Sequence, residues 1–259
     1  MAAVDCVHSI EGSGPPLFMI HGIGARRAIW KGLTRGLAEN FTCISYDLRG
    51  HGDSPISPTP FGLDELVDDL EALRKKLGID RAHVIGISLG GMIGPAYTRA
   101  YPDRVISLGL LSTAAGRTAE DRAKLMAVIA TMEEQGIEPV LDTLVQRWYT
   151  DEFIAARPDA IQARINDVLE TPADVFMNVF HIYAETEMAP WLDQITVPSL
   201  VLTGELDGGC NPRLNRLIAD KLPNSELVIL DNLKHSILIE GPEQVAAPVK
   251  DFLMRQLSG

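Results

Sequence analysis

Short apolar runs separated by amphipathic stretches set the rhythm of roughly the first 113 residues. Leu17-Phe18-Met19-Ile20, Thr42-Cys43-Ile44-Ser45-Tyr46, Ala82-His83-Val84-Ile85 and the run from Val105 to Leu111 each read as a buried strand. Leu63, Leu66, Val67, Leu70, Leu73 and Leu77 recur at helical spacing, and Gly78 ends that helix. Strands alternating with helices predict βαβ units and a parallel sheet. Between about 115 and 190 the pattern changes. No strand-like run occurs there, and the spacing predicts helices from Ala119 to Gln135, Glu138 to Tyr149, Asp159 to Leu169 and Pro172 to Glu185. Strands return from Pro198 to Gly204 and from Leu227 to Leu230, and a last helix is expected from Pro242 to Gln256. The expected organisation is an α/β core of residues 1–114 and 191–259, with residues 115–190 inserted as a helical lid. No internal repeat or low-complexity segment interrupts it.

Composition narrows the class. With 259 residues, 46% of them hydrophobic, the chain is long enough for one α/β core plus an inserted subdomain. Its net charge of −12 repels phosphate backbones and anionic headgroups, so neither nucleic acid nor membrane is an expected partner. Cys6, Cys43 and Cys210 are an odd count without paired spacing, and no Cys/His cluster suggests zinc. Cys43, in an apolar strand, reads as a small buried hydrophobe, and Cys210 reads as a passive residue near Asp207. The first residues lack a basic start with a long apolar run, and no stretch approaches membrane-spanning length. These features predict a cytoplasmic enzyme acting on a small molecule without cofactor or metal; oligomeric state is left open.

The candidate chemistry centres on Gly86-Ile87-Ser88-Leu89-Gly90, a G-x-S-x-G pentapeptide between a strand and a helix. A turn that lifts a serine hydroxyl clear of the sheet crowds its neighbours, so small residues must flank it. A serine also needs a base, and the base a carboxylate. On this architecture the order is serine, acid, histidine. Asp207 follows the strand ending at Gly204, and His235 follows the strand ending at Leu230, at the sheet edge where sites on open α/β folds gather. Glu205 and Asp231 are the rival acids, but Asp207 has the better spacing. The tetrahedral intermediate needs backbone N–H donors. Leu89, directly after the serine at a helix start, is one candidate. Ile23, in the loop His21-Gly22-Ile23-Gly24, is the other, and His21 reads as a brace for that loop. Arg49-Gly50-His51-Gly52-Asp53-Ser54 lacks the lysine and spacing of a phosphate loop and reads as a structural turn with Asp47 and Arg49 paired.

Together these pieces resemble the α/β-hydrolase superfamily, in the branch with a compact helical lid. The matching segments are His21-Gly22 after the third strand, Tyr46 to Ser54 after the fourth, Gly86 to Gly91, Gly204-Glu205-Leu206-Asp207, and His235 followed by Glu240-Gly241-Pro242-Glu243. Within the branch the chain is most similar to 3-oxoadipate enol-lactonases, through Leu110 to Ala115 and Gln146 to Phe153. It departs from them in the oxyanion loop, where those lactonases carry His-Ser-Leu-Gly. The resemblance implies an α/β-hydrolase fold, a mostly parallel sheet flanked by helices, and hydrolysis of a small ester or lactone in aromatic-compound breakdown. It also implies a lid residue, Trp148, facing the pocket, with Phe176, Met177, Phe180 and Trp191 following it. An anionic lactone needs a cation nearby. Arg26 and Arg27 lie just after the oxyanion loop and are the expected carboxylate ligands, with Arg117 and Arg147 also available. The alternatives are a general carboxylesterase or cofactor-free perhydrolase, a carbon–carbon bond hydrolase (whose glycine-proline-glycine loop is missing), and a non-enzymatic receptor on the same scaffold.

Overall fold

The computed structural model describes residues 1–257. Seven strands form one sheet: β1 His8–Glu11, β2 Pro16–Ile20, β3 Thr42–Tyr46, β4 Ala82–Ile87, β5 Val105–Leu111, β6 Ser199–Gly204 and β7 Ser225–Leu230. Their order is β1-β3-β2-β4-β5-β6-β7. Only β1 runs antiparallel, pairing His8 with Tyr46 and Glu11 with Cys43. The apolar runs predicted as strands all form strands. β1 was not anticipated, because an edge strand that is half solvated carries no apolar run. His21 and Tyr46 therefore follow β2 and β3, one strand earlier than the family resemblance implies.

The eleven α-helices among the described residues are α1 Lys31–Leu37, α2 Leu63–Lys76, α3 Gly90–Ala100, α4 Ala119–Gln135, α5 Leu141–Trp148, α6 Asp151–Ala156, α7 Pro158–Glu170, α8 Ala173–Glu185, α9 Pro212–Lys221, α10 Ile237–Glu240 and α11 Pro242–Arg255. Helices cover both faces of the sheet, so its central strands are buried throughout and read as continuous apolar runs. Alternation along each strand sorts the side chains. Phe18, Ile20, Val84 and Leu110 pack with Leu66, Leu70, Ile93 and Tyr97 of α2 and α3. Leu17, Met19, Ile85 and Leu111 pack with Leu33, Leu37, Val249 and Phe252 of α1 and α11. Each such side chain contributes about 1.5–3 kcal/mol on burial.

All of α4 to α8 falls between β5 and β6; α4, α5 and α7 pack in apolar clusters of their own, whereas Val175, Val179, Ile182 and Tyr183 of α8 join the sheet core. The stretch expected as one helix from Glu138 to Tyr149 is a 3-10 turn followed by α5. Asp151–Ala156 adds a short helix that was not expected, started by the Thr150 hydroxyl accepting from Phe153 N–H. The local Asp47–Arg49 pair is also corrected. Arg49 is fully buried and forks onto Asp69 of α2, with Nε and Nη2 each 2.7 Å from a carboxylate oxygen. Asp47 instead takes Arg27 and the Asp53 N–H.

Candidate active site

Strand ends aim the site. β4 runs out at Ile87, and Ser88 follows at φ +56°, a left-handed backbone that costs a non-glycine residue energy. Ser88 N–H donates to Leu111 O at 2.9 Å and Thr113 Oγ1 donates to Ser88 O at 2.8 Å, which pins the strained turn. The flanking glycines are obligatory. A Cβ on Gly86 would lie 2.0 Å from Gly90 O, and one on Gly90 would lie 2.1 Å from Ile20 O. The other left-handed serine, Ser112, is fully buried and does not line the cavity.

Asp207 follows β6 and is buried. Its Oδ1 accepts from the N–H groups of Gly209 (2.9 Å) and Cys210 (2.8 Å), and its Oδ2 lies 2.7 Å from Nδ1 of His235. That bond places the Nδ1 proton toward the carboxylate and leaves Nε2 free. Burial opposes protonation of His235, but the Asp207 carboxylate outweighs it and holds the imidazole pKa well above its ordinary value. Glu205 and Asp231 are exposed, and Glu205 accepts from Asn232 N–H instead. Cys210 is fully buried, with Sγ 3.1 Å from the Tyr183 hydroxyl. Its sulfur, Asp207 and His235 place ligand atoms within 4.8 Å of one another. A soft metal ion would find three donors there, at the cost of the Asp207–His235 hydrogen bond.

The loop after β2 is held from several sides. His21 Nδ1 donates to Gly22 O at 2.7 Å, and its Nε2 accepts from Leu48 N–H at 2.9 Å. His51 Nε2 accepts from Gly24 N–H at 3.2 Å. Burial lowers the His21 pKa to about 4 and that of His51 to about 3, so both stay neutral and act as braces. The N–H groups of Ile23 and Leu89 find no acceptor among the described residues. Gly22 is close to the serine: a Cβ there would lie 3.0 Å from Ser88 Cβ.

Ser88, His235 and Asp207 open into one cavity of about 330 Å³ with Gly22, Ile23, Trp148, Phe180 and Tyr183. Trp148, at the end of α5, lines it, and so does Phe180, whereas Phe176 is fully buried against Gly24 and Trp191 stacks under Arg99. The two arginines expected to reach the cavity do not line it. Arg26 pairs with Asp167 and Glu170 of α7, and Arg27 with Asp47 and Asp53. Nearby acids draw both side chains away from the cavity, a choice that proximity to Ile23 in sequence could not show.

Known proteins share this fold. The sequence profile for the α/β hydrolase fold matches residues 15–135. The enol-lactonase from Burkholderia xenovorans superposes with a TM-score of 0.90 at 25% identity, covering 98% of this chain and 99% of its own. This chain has the α/β-hydrolase fold. The 3-oxoadipate enol-lactonase 2 of Acinetobacter baylyi is 27% identical to this hydrolase over 95% of the chain and 91% of its own length. A malate-bound thermophilic esterase from Thermogutta terrifontis matches it with a TM-score of 0.88 at 25% identity, covering 98% of this chain and 94% of its own. No helix of the hydrolase, among the described residues, is long and apolar enough to cross a membrane.

Three cavity cations lack an acid partner among the described residues: Arg147, which is exposed, and Arg117 and Arg164, which are buried. Arg117 donates from Nη1 to Tyr183 O at 3.0 Å and lies 4.3 Å over the Tyr183 ring, while its Nη2 has no partner. Arg164 donates to the carbonyls of Ile23 and Gly24 and lies 4.4 Å over the Trp148 ring. Arg164 escaped the sequence reading. Its signal was there: with Ile161 and Val168 it falls on the buried stripe of α7, where a cation is out of place.

Proposed function

We propose that this hydrolase cleaves a small carboxylic ester or lactone with Ser88 as nucleophile, His235 as base and Asp207 as its orienting acid. The observation that carries the reading is the set of groups around one cavity: a strained serine, an imidazole bonded to a buried carboxylate, and two unengaged amides. Ser88 Oγ attacks the carbonyl carbon while His235 Nε2 takes its proton. The N–H groups of Ile23 and Leu89 stabilise the oxyanion, the imidazolium returns the proton to the leaving oxygen, and water repeats the sequence on the acyl-enzyme. The helices of residues 115–190 act as a lid that closes the cavity from above.

The leading substrate is 3-oxoadipate enol-lactone, in aromatic-compound breakdown. Two features support it: the similarity to named enol-lactonases and a cavity small enough for one compact substrate. The substrate carboxylate is assigned to Arg117, because a buried guanidinium without an acid partner favours an anion that supplies one. A general esterase is the second reading, supported by the Thermogutta terrifontis neighbour. A cytoplasmic location fits the three free thiols. Steady-state assays on enol-lactones, 4-nitrophenyl acetate and short neutral esters test the assignment. A kcat/KM highest for the anionic lactone is expected; a preference for neutral esters would move the esterase reading ahead, and no Ser88-dependent turnover of any of them would end the hydrolase reading.

A further inference from the structure

The cap and the oxyanion loop meet through one buried cation. Arg164 projects from α7 across 141 residues of sequence to Ile23, where Nη2 donates to Ile23 O at 2.9 Å and Nη1 donates to Gly24 O. No carboxylate pairs with it among the described residues, and burial works to lower its pKa. A desolvated charge held on two neutral carbonyls is costly as a purely structural bond. Its location explains why it is kept. The two carbonyls belong to the residues on either side of the Ile23–Gly24 peptide, and the Ile23 N–H, like that of Gly22, has no acceptor among the described residues. Two neighbouring groups are tied: Gly22 O to His21 and to the Ala25 N–H, and Gly24 N–H to His51. Gly24 at φ +57° is further packed by Phe176 of α8 and Val168 of α7.

We infer that Arg164 is a positioning residue that completes the oxyanion hole when α7 is seated, resting on the reading of Ile23 N–H as an oxyanion donor. It holds the Ile23 and Gly24 carbonyls from the α7 side while His21 holds the Gly22 carbonyl, so the Gly22–Ile23 peptide that carries the Ile23 N–H is clamped from both flanks and stays directed at the carbonyl bound over Ser88. Its charge also lines the cavity in which negative charge develops. The Trp148 ring under the guanidinium fixes its plane and joins the substrate wall to the same device. Cap seating and transition-state stabilisation are thereby one event.

Arg164→Met tests this with 4-nitrophenyl acetate, a neutral substrate that removes any charge effect on binding. The expected result is a kcat lower by roughly 10²–10³-fold, the cost of one oxyanion donor, with KM changed by less than about threefold. Affinity for a boronic acid that adds to Ser88 as a tetrahedral anion falls by a similar factor. Inhibition by free acetate, which lacks that geometry, stays unchanged. Arg164→Lys keeps the charge and one donor and recovers part of both losses; it carries the test alone if the methionine variant does not fold. A kcat per folded molecule equal to wild type, or a loss confined to KM, overturns the inference. Adding Ser88→Ala separates it from its parent: Ser88-dependent turnover that ignores Arg164 sinks only the positioning role, whereas turnover without Ser88 sinks the hydrolase reading as well.

Discussion

The floor and the roof of the cavity are built in different ways. The floor consists of Ser88, Asp207, His235 and the loop holding Ile23, each within a few residues of a strand end. Sheet ladders, the Gly86 and Gly90 close approaches and the two amides on Asp207 hold it through main-chain geometry. The roof consists of Trp148, Phe180, Tyr183, Arg117 and Arg164, placed by helix packing and side-chain contacts. Backbone-held groups tolerate almost no displacement, whereas side-chain walls can be remodelled one residue at a time. On the proposed mechanism the floor sets whether chemistry occurs and the roof sets what is held for it, with Arg164 reaching from the roof to the Ile23 loop of the floor.

Breaking the floor should have the largest effect. Ser88→Ala and His235→Ala are each expected to lower kcat by about 10⁵–10⁶, since nucleophile and base act as a unit. Wild-type-like turnover in either variant refutes the triad. Asp207→Asn should cost about 10⁴ in kcat by holding the wrong imidazole tautomer. A larger loss from Glu205→Gln would show that the acid has been misassigned.

The same residues fix the pH response. The Asp207 carboxylate raises the His235 pKa, and only neutral His235 accepts the Ser88 proton. So kcat/KM should climb with rising pH along a limb lying above ~6.5, the ordinary histidine value. In Asp207→Asn that limb should slide down toward ~6.5. A pH–rate profile in which the wild-type limb lies below it would contradict the pairing.

Roof changes sharpen the comparison at smaller scale. Arg117→Met should raise KM for an anionic lactone by about 10–100-fold, the value of one charge-assisted hydrogen bond, and leave a neutral ester of similar size nearly untouched. Equal effects on both substrates would remove Arg117 as the anion ligand. Arg26→Gln should change KM for the anionic lactone by less than about twofold, because its partly exposed ion pairs with Asp167 and Glu170 lie outside the cavity. A strong KM effect there would return the anion site to the oxyanion loop.

Periodicity alone determined the six parallel strands, most helices and the place where a helical segment interrupts the sheet, because burial on both faces writes continuous apolar runs into the chain. β1 stayed hidden, being a half-solvated edge. The floor was legible for a related reason: a strained turn demands glycines at fixed offsets, and strand ends put Asp207 and His235 within reach of that turn. Arg26 and Arg27 show the opposite case. Closeness to Ile23 in sequence suggested an inward role, yet acids on α7 and around Asp47 decided where their guanidiniums lie. Arg117 and Arg164 were placed only by packing between elements far apart in the chain, Arg164 reaching the Ile23 carbonyl across 141 residues. Local geometry leaves a local record in sequence; a buried cation meeting a distant carbonyl exists only once the chain has closed around it.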